Sequence, residues 1–344
     1  MRISVCIPHY NRIDYLLQVL DSIESQTYGN LEVIVSDDCS TDDSERVLMG
    51  LTATHKLDLI YERQTQNIGY DANLRRSLEL ASGDFLFVLG NDDALASNTS
   101  IQELADLLAQ HDCPGVVTTN YHEFGDPEII HRRVSQTECI PGTMESALAN
   151  YSCFSFVAGI GFRKDVFDDV NTNAHDGSIY AQIFLAVAAM MRGHNLLKIE
   201  IPLVAKDILT DGEKSNSYRD KIAKNWSDMT PVTGGLLQVA SVLFAAIDAS
   251  SSTEAETWKR RVALKLYGTT YPFWLLDYRR HGALPESIRL MRGLLPSRNR
   301  PVLQTVIGWR LWVRYITSTL IGLTFPVFIF NRIENGLYAR IKAS

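Results

Sequence analysis

Two adjacent aspartates at the end of an apolar run are the residues of this sequence best suited to chemistry. Asp92 and Asp93 follow Gly90-Asn91, directly after the run Phe85–Leu89. Neighbouring carboxylates repel each other unless they share a positive charge. Mg²⁺ or Mn²⁺ supplies such a charge and commonly arrives with the phosphates of a substrate. The pair therefore indicates metal-assisted handling of a nucleotide diphosphate; the alternative is a solvated turn with helix-capping aspartates.

Alternating strand and helix patterns over the first 120 residues predict the scaffold that must position this pair. Short apolar runs predict five strands, at Ile3–Ile7, Leu31–Val35, Leu57–Tyr61, Phe85–Leu89 and Val116–Thr119. Between them, apolar residues recur three or four positions apart, as in helices. Strands that alternate with helices form βαβ units around a mostly parallel sheet. We therefore expect an α/β fold with a central sheet flanked by helices.

Polar residues follow the predicted strands at their carboxyl ends, which is where open α/β sheets bind ligands. The first three strands lead to Pro8-His9-Tyr10-Asn11-Arg12, to Asp37-Asp38-Cys39-Ser40-Thr41-Asp42 and to Asn67-Ile68-Gly69. These residues offer carboxylates and an aromatic face to a ribose and a base. A P-loop sequence is absent, and Gly159-Ile160-Gly161 is only a fragment of a dinucleotide fingerprint, which we interpret as a packing feature. Both facts disfavour a P-loop NTPase and a Rossmann oxidoreductase.

Charge and cysteine content restrict the setting of the protein. The 344 residues carry a net charge of −7, but residues 255–344 carry +11 and the remainder −18. A basic, Trp-rich tail favours an anionic partner surface, either a membrane or nucleic acid, and no nucleic-acid-binding motif accompanies it. Five scattered cysteines without a Cys-x-x-Cys spacing and an N-terminus without a signal-peptide pattern predict reduced thiols and a cytoplasmic location.

Five motifs occur in a fixed order along the first half of the chain. They are Ile7-Pro8-His9-Tyr10-Asn11-Arg12, Ser25-Gln26-Thr27-Tyr28, Val35-Ser36-Asp37-Asp38, Asn67-Ile68-Gly69 and the pair Ala81-Ser82-Gly83-Asp84 with Gly90-Asn91-Asp92-Asp93. This order resembles the nucleotide-binding half of a family 2 inverting glycosyltransferase with the GT-A fold. The resemblance covers residues 1–120 and continues weakly to 210. The acidic motif is similar to that of the abequosyltransferase-like O-antigen branch.

The resemblance implies a role for each matching residue in nucleotide or metal binding. The nucleotide-binding residues would be Pro8, Tyr10, Asn11, Arg12, Asp37, Asp38, Asn67, Gly69 and Asn91. Within this set, Asp37 and Asp38 would hold the base and the ribose. Asp92, with Asp93 beside it, would bind Mg²⁺ or Mn²⁺. The first aspartate of the family motif is replaced by Gly90, so the usual ribose contact is missing here and the metal site depends more on Asp92.

The resemblance also implies a catalytic base in the second half of the domain, near a helix start after an irregular loop. Asp176 fits that position best, and its alternative role is a helix N-cap. His175 is the second candidate, although an exposed loop histidine is its more ordinary role. Asp165 is a weaker candidate for the base. The carboxylate would deprotonate the acceptor hydroxyl as it attacks the anomeric carbon of the donor sugar.

Three further segments complete the expected organisation. Residues 1–215 would form the catalytic domain, with a nucleotide-binding half at 1–120 and an acceptor half at 121–215; residues 216–344 would be helical. The polar segment Lys206–Ser215 is either a flexible loop closing over substrate or an ordinary surface loop. An Arg-flanked apolar stretch at 300–332 favours an interfacial membrane helix, and the alternative is a helix packed on protein.

Together these features predict an inverting glycosyltransferase that acts at the inner face of the plasma membrane. It would move a sugar from a nucleotide-diphosphate sugar to a glycan or a polyprenyl-linked glycan in bacterial surface polysaccharide assembly. Two alternatives stay open: a nucleotidyltransferase of sugar activation, although its Gly-rich basic loop is absent, and a non-catalytic protein that binds nucleotide sugars.

We expect Asp92→Asn to abolish metal-dependent turnover while leaving the fold intact, because the amide keeps the side chain's shape but not its charge. Turnover is measured with added Mg²⁺ or Mn²⁺, and circular dichroism checks the fold. Unchanged activity in this variant would remove Asp92 from the mechanism.

Overall fold

The computed structural model describes residues 1–54, 56–210, 213–214 and 235–333. Contacts divide the chain into two compact units, Met1–Ser215 and Asn216–Ser344. The first unit contains the β-sheet, and the described part of the second is helical. The chemistry-bearing motifs of the sequence all fall in the first unit.

The first unit alternates strands and helices over its first 120 residues, as the sequence predicts. Its strands are β1 Ile3–His9, β2 Leu31–Asp37, β3 Leu59–Arg63, β4 Phe85–Val88, β5 Ala94–Leu95, β6 Val116–Glu123, β7 Asp126–His131, β8 Glu138–Ile140, β9 Ile160–Arg163, β10 Leu196–Lys206, β11 Leu209–Thr210 and β12 Glu213–Lys214. Its described α-helices are α1 Ile13–Glu24, α2 Ser44–Thr54, α3 Tyr70–Glu79, α4 Ser100–Gln110, α5 Met144–Asn150, α6 Lys164–Val170 and α7 Ala181–Met191.

A ten-stranded sheet organises this unit. Its strand path is β3-β2-β1-β4-β9-β6-β10-β5, with β7 beside β6 and β8 beside β10. β1 runs parallel to β2 and β4, β2 to β3, and β6 to β10. Since β9 is antiparallel to both β4 and β6, these two strands also run in the same direction. Six strands therefore end at one edge, which we call the carboxyl edge, and the predicted α/β class with a mostly parallel sheet is confirmed.

Burial on both faces of the central strands explains why they read as continuous apolar runs. Every residue of β1 is buried except the half-buried Pro8. Helix α1 contributes a stripe of buried side chains spaced three or four residues apart: Ile13, Leu16, Val19, Leu20 and Ile23. These side chains join those of the strands in one hydrophobic core. The core fixes the strands rigidly, so the loops at the carboxyl edge start from fixed points.

Two expectations for the middle of the unit require correction. The apolar pattern of Ser155–Phe162 predicts a strand over that whole range, but the strand is confined to Ile160–Arg163, because Gly159 at φ +80° interrupts the extended chain. The expected polar loop at Lys206–Ser215 begins instead as the end of β10 and continues into the β11–β12 hairpin. Lys206 is buried, and its charge is compensated by an ion pair with Glu123 inside the protein rather than by water. Residues 211, 212 and 215 of this segment lie outside the described residues.

The second unit contains short helices whose bounds are known between residues 235 and 333. Its α-helices span Leu236–Ala249, Ala255–Lys265, Tyr271–Arg280, Leu284–Gly293, Arg300–Leu303, Trp309–Thr324 and Val327–Ile333. Among the described residues, no single helix has both the length and the apolar character needed to cross a membrane. The last two helices meet these requirements only as a pair, and the chain bends by 99° between them.

We expect Gly161→Ala to lower the free energy of unfolding by about 1–3 kcal/mol, as overpacking of a core does. A Cβ atom at this position would lie 2.5 Å from Cε1 of Phe85 and 2.9 Å from the carbonyl oxygen of Leu86 on β4. Urea unfolding measures the effect.

Gly50→Ala is the matched control for this substitution. Gly50 lies in α2, and a Cβ there would meet no atom within 4 Å. Removing a glycine from a helix stabilises it, by about 0.5–1 kcal/mol. Equal stability of the Gly161→Ala variant and the wild type would contradict the packing role of Gly161.

Candidate active site

The acidic pair lies at the carboxyl edge just beyond β4, and a glycine makes room for it. Asp93 is 3% exposed, whereas Asp92 is partly exposed. A Cβ atom on Gly90 would collide with Oδ2 of Asp93 and would lie 3.2 Å from Oδ1 of Asp92. The replacement of the motif's first aspartate by glycine thus has a steric reason, because the Asp93 carboxylate occupies the space that a side chain at position 90 would need.

An arginine from the first strand's loop neutralises part of this acidic charge. Nη1 of Arg12 donates to Oδ2 of Asp92 at 2.7 Å, although the two residues are 80 positions apart. Both side chains are partly exposed, 31% for Arg12 and 15% for Asp92. The sequence motif predicts that Arg12 lines the nucleoside pocket, whereas the structure places its guanidinium against the predicted metal ligand.

The end of β10 closes over the acidic pair from the other side. The backbone N–H of Asp207 donates to Oδ1 of Asp93 at 3.1 Å, and that of Ile208 donates to the carbonyl oxygen of Asp92 at 2.8 Å. Nζ of Lys206 lies 2.6 Å from Oδ2 of Asp207 and 2.9 Å from Oε1 of Glu123, at the end of β6. Burial, and then the neighbouring Asp92 carboxylate, raise the pKa of Asp93 well above its ordinary value.

This cluster is chemically suited to a divalent cation that brings ligands of its own. It contains four carboxylates and two cationic groups, from Asp92, Asp93, Asp207, Glu123, Arg12 and Lys206. When all six groups are ionised, their net charge is −2. Within the described ranges, no three His, Cys, Asp or Glu side chains are arranged to hold a metal by themselves. Mg²⁺ is usually held by one or two carboxylates together with substrate phosphates, so the residues fit such a cation.

A buried histidine connects the acidic motif to the two preceding loops. Nδ1 of His9 accepts from Nδ2 of Asn91 at 3.1 Å, so its Nε2–H donates to Oγ of Ser44 at 2.8 Å. Ser44 in turn donates to Asp42, whose second oxygen accepts the N–H of Ile13 at the start of α1. Desolvation lowers the pKa of His9 to about 4. His9 is therefore neutral at pH 7, in the tautomer that this network needs.

Asp37 and Asp38 hold loops of the protein itself. Asp37 is fully buried and accepts from Ser40 (N–H and hydroxyl) and from the Tyr61 hydroxyl. Asp38 accepts the N–H groups of Ile68 and Gly69, at 2.5 and 3.1 Å. Burial raises the pKa of Asp38, and these two hydrogen bonds oppose the shift. The geometry thus assigns both carboxylates a positioning role, and their contact with base and ribose stays a prediction.

The other predicted nucleotide residues lie in the same loops. Asn11 and Arg12 adopt left-handed backbone conformations, with φ of +57° and +64°. The Asn11 side chain accepts the N–H of Thr41 at 2.8 Å, which joins the first loop to the second. Asn67 donates to the carbonyl oxygen of Asp38 at 3.3 Å. Gly69 has φ +86°, a conformation that favours glycine, at the start of α3.

The structure leaves three apolar side chains exposed among these loops. Tyr10 is 45% exposed, Tyr70 41% and Ile68 37%, whereas the half-buried Pro8 ends the buried part of β1. Burial of the Tyr70 phenol, and then the carboxylates of Asp71, Asp93 and Asp92, raise its pKa, although the residue as a whole is exposed. Tyr70 therefore lies within electrostatic reach of the acidic pair. Aromatic faces of this kind are suited to stacking against a base.

Asp176 forms a bidentate ion pair with an arginine of α3. Its two oxygens accept from Nε and Nη2 of Arg75 at 2.8 and 2.7 Å. Nη1 of Arg75 also contacts Oε1 of Glu79 and Oδ1 of Asn171. The hydrogen bonds to Asp176 raise the pKa of Arg75. Asp176 is thus fixed in direction by a permanently charged partner, and its side chain is still 23% exposed.

The N-cap alternative for Asp176 is wrong. Helix α7 begins at Ala181, and the carboxylate that accepts the N–H of Ala181, together with that of Ile179 just before the helix, belongs to Asp71 of α3. Asp71 accepts from Ile179 at 2.7 Å and from Ala181 at 3.2 Å, and it is 2% exposed. The charge of Asp176 contributes to raising the pKa of Asp71, after burial, so the two carboxylates are near each other.

The other two candidates for the base are placed differently. His175 is half-buried and its ring lies 4.0 Å from that of Phe184, so it is not the exposed loop histidine of the alternative role. Burial lowers its pKa. Asp165 follows β9, which is antiparallel to β4, and therefore lies at the opposite edge of the sheet, paired with Arg163. Of the three candidates, Asp165 is excluded from the carboxyl edge.

Several residues of the site are not identified by the motifs. Helix α3 presents Asp71, Arg75 and Glu79 on one face towards the segment that carries Asp176. These three residues are spaced four apart and alternate in charge, a sequence pattern that indicates ion pairing along one face of a helix. Lys206 and Asp207 have no such signal, because their role depends on where β10 ends relative to β4.

We expect the free energy of unfolding to fall as the pH drops from 6.5 towards 4, partly because of His9. Between these values the unfolded chain binds a proton at His9 and the native state does not, a difference of about 3 kcal/mol over the whole window. His9→Gln removes this contribution. Urea unfolding at pH 7.5, 6.5 and 5.5 compares the variant with the wild type. The contribution of the carboxylates to the pH dependence is common to both proteins and cancels in the difference. Equal pH slopes would show that His9 is not neutral in the native state.

Comparison with curated proteins identifies relatives among glycosyltransferases. Over 227 residues the chain is 30% identical to the abequosyltransferase RfbV of Salmonella typhimurium, which covers 59% of this chain and 66% of that protein. Over 96 residues it is 35% identical to the GalNAc(5)-diNAcBac-PP-undecaprenol beta-1,3-glucosyltransferase of Campylobacter jejuni, covering 28% of this chain and 31% of that protein. The chain thus matches less than two thirds of the length of either relative.

Solved structures share the fold at low sequence identity. S. aureus TarS 1–349 in complex with UDP superposes with a TM-score of 0.59 at 14% identity, covering 98% of this chain and 92% of that one. The Pyrobaculum calidifontis mannosyltransferase PcManGT, in complex with GDP-Man and Mn²⁺, gives a TM-score of 0.50 at 17% identity, covering 99% and 86%. The likeness concerns the fold alone and confirms the predicted GT-A fold.

A family model supplies the remaining finding. The model described as Glycosyl transferase family 2 matches residues 4–170, a range that includes all five sequence motifs and the acidic pair at the carboxyl edge. The resemblance predicted from these motifs is confirmed: residues 4–170 match glycosyl transferase family 2.

Proposed function

We propose that this protein transfers a sugar from a nucleotide-diphosphate sugar to an acceptor hydroxyl, with inversion at the anomeric carbon. The observation that carries the proposal is the acidic cluster of Asp92 and Asp93, at the carboxyl edge, beside exposed aromatic side chains. This edge is where open α/β sheets bind ligands. The abequosyltransferase and glucosyltransferase relatives support the reaction class.

The donor diphosphate would bind next to Asp92. Asp92 and Asp93 would hold Mg²⁺ or Mn²⁺, which when bound neutralises the charge that develops on the leaving diphosphate. The solved structure of a neighbour, the mannosyltransferase PcManGT, is a complex with GDP-Man and Mn²⁺. Tyr10 would offer its exposed ring to the base, while Asn11 and Asn67 keep the surrounding loops in place.

The acceptor hydroxyl would lose its proton to Asp176. Inversion by direct displacement needs one base on the acceptor side, and an ionised carboxylate serves if it is held in position. Arg75 fixes both oxygens of Asp176, and Asp71 fixes the backbone of the segment at Ile179. Each carboxylate oxygen has two lone pairs, so the ion pair with Arg75 leaves acceptor capacity for the hydroxyl proton.

We expect Asp176→Asn to lower kcat at least 10²-fold, in the range typical of general-base loss, with donor binding retained. Asp165→Asn is the control, because Asp165 is also paired with an arginine but lies at the opposite edge. Turnover is followed by release of the nucleoside diphosphate, and donor binding by calorimetry. Equal losses in both variants, or full activity of Asp176→Asn, would contradict the role of Asp176 as the base.

We also propose that the second unit attaches the enzyme to a membrane that carries its acceptor. On the Trp309–Thr324 helix, one face is buried at Leu311, Tyr315, Ser318 and Gly322. The opposite face, by helical spacing, exposes apolar side chains: Trp309, Val313, Ile316 and Leu320, which are 48–72% exposed. The exposed Arg310 and Arg314 flank this stripe. An exposed apolar stripe beside arginines is typical of helices in the headgroup region.

The acceptor that best explains such an attachment is a polyprenyl-diphosphate-linked glycan at the inner face of the plasma membrane. The name of the Campylobacter jejuni relative contains an undecaprenol-linked acceptor, and the Salmonella typhimurium relative is an abequosyltransferase. We infer the same class of acceptor here, in the assembly of a bacterial surface polysaccharide such as O-antigen or capsule.

We expect the protein to sediment with vesicles that contain anionic phosphatidylglycerol and less with vesicles of phosphatidylcholine alone. Replacing Trp309, Ile316 and Leu320 by serine should abolish sedimentation, because their apolar area drives insertion. Ile129→Ser is the control, since Ile129 is 49% exposed in the first unit. Equal binding of the triple variant and the wild type would contradict membrane attachment through this helix.

A further inference from the structure

The ion pair between Arg12 and Asp92 joins two backbones that are fixed independently of it. The carbonyl oxygen of Arg12 accepts the N–H groups of Tyr15 and Leu16 in the first turn of α1. The carbonyl oxygen of Asp92 accepts the N–H of Ile208. Neither backbone depends on the side-chain pair. The guanidinium can therefore leave Asp92 by rotation of its own side chain, without any movement of the loops.

The Arg12 guanidinium is bound to the same carboxylate of Asp92 that would bind a metal ion. Its Nη1 lies 2.7 Å from Oδ2 of Asp92, which is the more exposed member of the acidic pair. A guanidinium and a divalent cation cannot share one carboxylate oxygen at such distances, because like charges repel. A cation that binds Oδ2 of Asp92 must therefore displace Arg12. The displaced guanidinium then lies beside the place where the donor's diphosphate would bind.

We propose that Arg12 is an internal counter-ion of Asp92 that the metal displaces and that then binds the diphosphate of the donor. Arginine matches phosphate geometry with two parallel hydrogen bonds, so the diphosphate offers it a partner at least as good as the one it leaves. This inference rests on the proposed function for the identity of the diphosphate, but not for the competition between Arg12 and the metal at Asp92.

The consequence is that metal and nucleotide bind cooperatively. Metal alone must break the ion pair of Arg12 and Asp92. Metal with a nucleoside diphosphate gives both groups a partner, so each ligand raises the affinity for the other by the same factor. Arg12 is thus a positioning residue for the donor, and it suppresses metal binding before the donor arrives.

The first arm of the test measures Mn²⁺ affinity by calorimetry in the absence of nucleotide. Arg12→Gln should bind Mn²⁺ about tenfold more tightly than the wild type, a factor within the usual range of coupling between ligands. Arg63→Gln is the matched control: Arg63 also lies at the carboxyl edge, where it contacts the Ser40 carbonyl and Glu45 and not Asp92. Equal or weaker Mn²⁺ binding by Arg12→Gln would overturn the proposal, as would the same gain in the control.

The second arm repeats the Mn²⁺ titration with saturating UDP and, separately, saturating GDP. The wild type should bind Mn²⁺ at least tenfold more tightly with the nucleotide that it recognises, and Arg12→Gln should lose most of this gain. Arg12→Lys keeps the charge but not the two-pronged geometry, so it should resemble the wild type in the first arm and lose coupling in the second. Unchanged coupling in both variants would overturn the proposal.

The two arms separate this inference from the proposed function. If neither nucleotide alters Mn²⁺ binding in any variant while Arg12→Gln still gains affinity for Mn²⁺ alone, the competition is real and the nucleotide assignment fails. If nucleotides couple to Mn²⁺ equally in the wild type and in Arg12→Gln, the transferase proposal survives and the role of Arg12 fails. Thermal unfolding of each variant verifies that it is folded.

Discussion

The repulsion between two carboxylates in a confined space is the constraint on which the rest of the site depends. Asp92 and Asp93 follow a buried strand, so they cannot separate, and Asp93 is nearly inaccessible to water. Three features of the surrounding structure relieve this crowding and repulsion. Gly90 leaves space for the Asp93 carboxylate, Arg12 supplies a positive charge to Asp92, and Asp207, just after β10, donates its backbone N–H to Asp93. The three features come from different segments of the chain, and contacts with Asp92 and Asp93 therefore hold these segments together.

Helix α3 connects the donor side of the site to the acceptor side. Its first residue, Tyr70, interacts with the carboxylates of Asp92 and Asp93, while Asp71 and Arg75 hold the segment that contains Asp176. The loop before α3 is held by Asp38, which accepts from Gly69. A rigid helix therefore sets the relation between the acidic pair and the proposed base, and substrates bound on the two sides would share one reference element. Precise placement of this kind is what bimolecular transfer requires.

The parts of the fold that the sequence predicts are those that depend on local pattern. The five early strands and the helices between them follow from apolar periodicity, and Gly90-Asn91-Asp92-Asp93 lies at the edge that strand direction predicts. Contacts between distant segments could not be predicted in the same way. The pair of Arg75 with Asp176 spans 101 residues and that of Arg12 with Asp92 spans 80, and many other charged pairs would have been equally compatible with the sequence.

The burial of individual polar residues also could not be predicted from the sequence. Lys206 reads as part of a polar loop, and only its position between Glu123 and Asp207 at the end of β10 explains why a lysine is buried there. His9 reads as a polar loop residue, and its neutrality follows from a network that includes Ser44 and Asn91. Buried polar groups are satisfied by partners, so these positions are determined by tertiary structure and have no local signature.

The central claim is that the carboxyl edge binds a nucleoside diphosphate together with a divalent cation. Thermal unfolding of the wild type and Asp92→Asn across a panel of nucleoside diphosphates and nucleotide sugars, with and without Mn²⁺, tests it most directly. A ligand at a hundred times its Kd stabilises the native state by about 2.7 kcal/mol. The account predicts a rise in Tm for one nucleotide, dependent on Mn²⁺ and absent in Asp92→Asn. A folded wild-type protein that no member of the panel stabilises would contradict it.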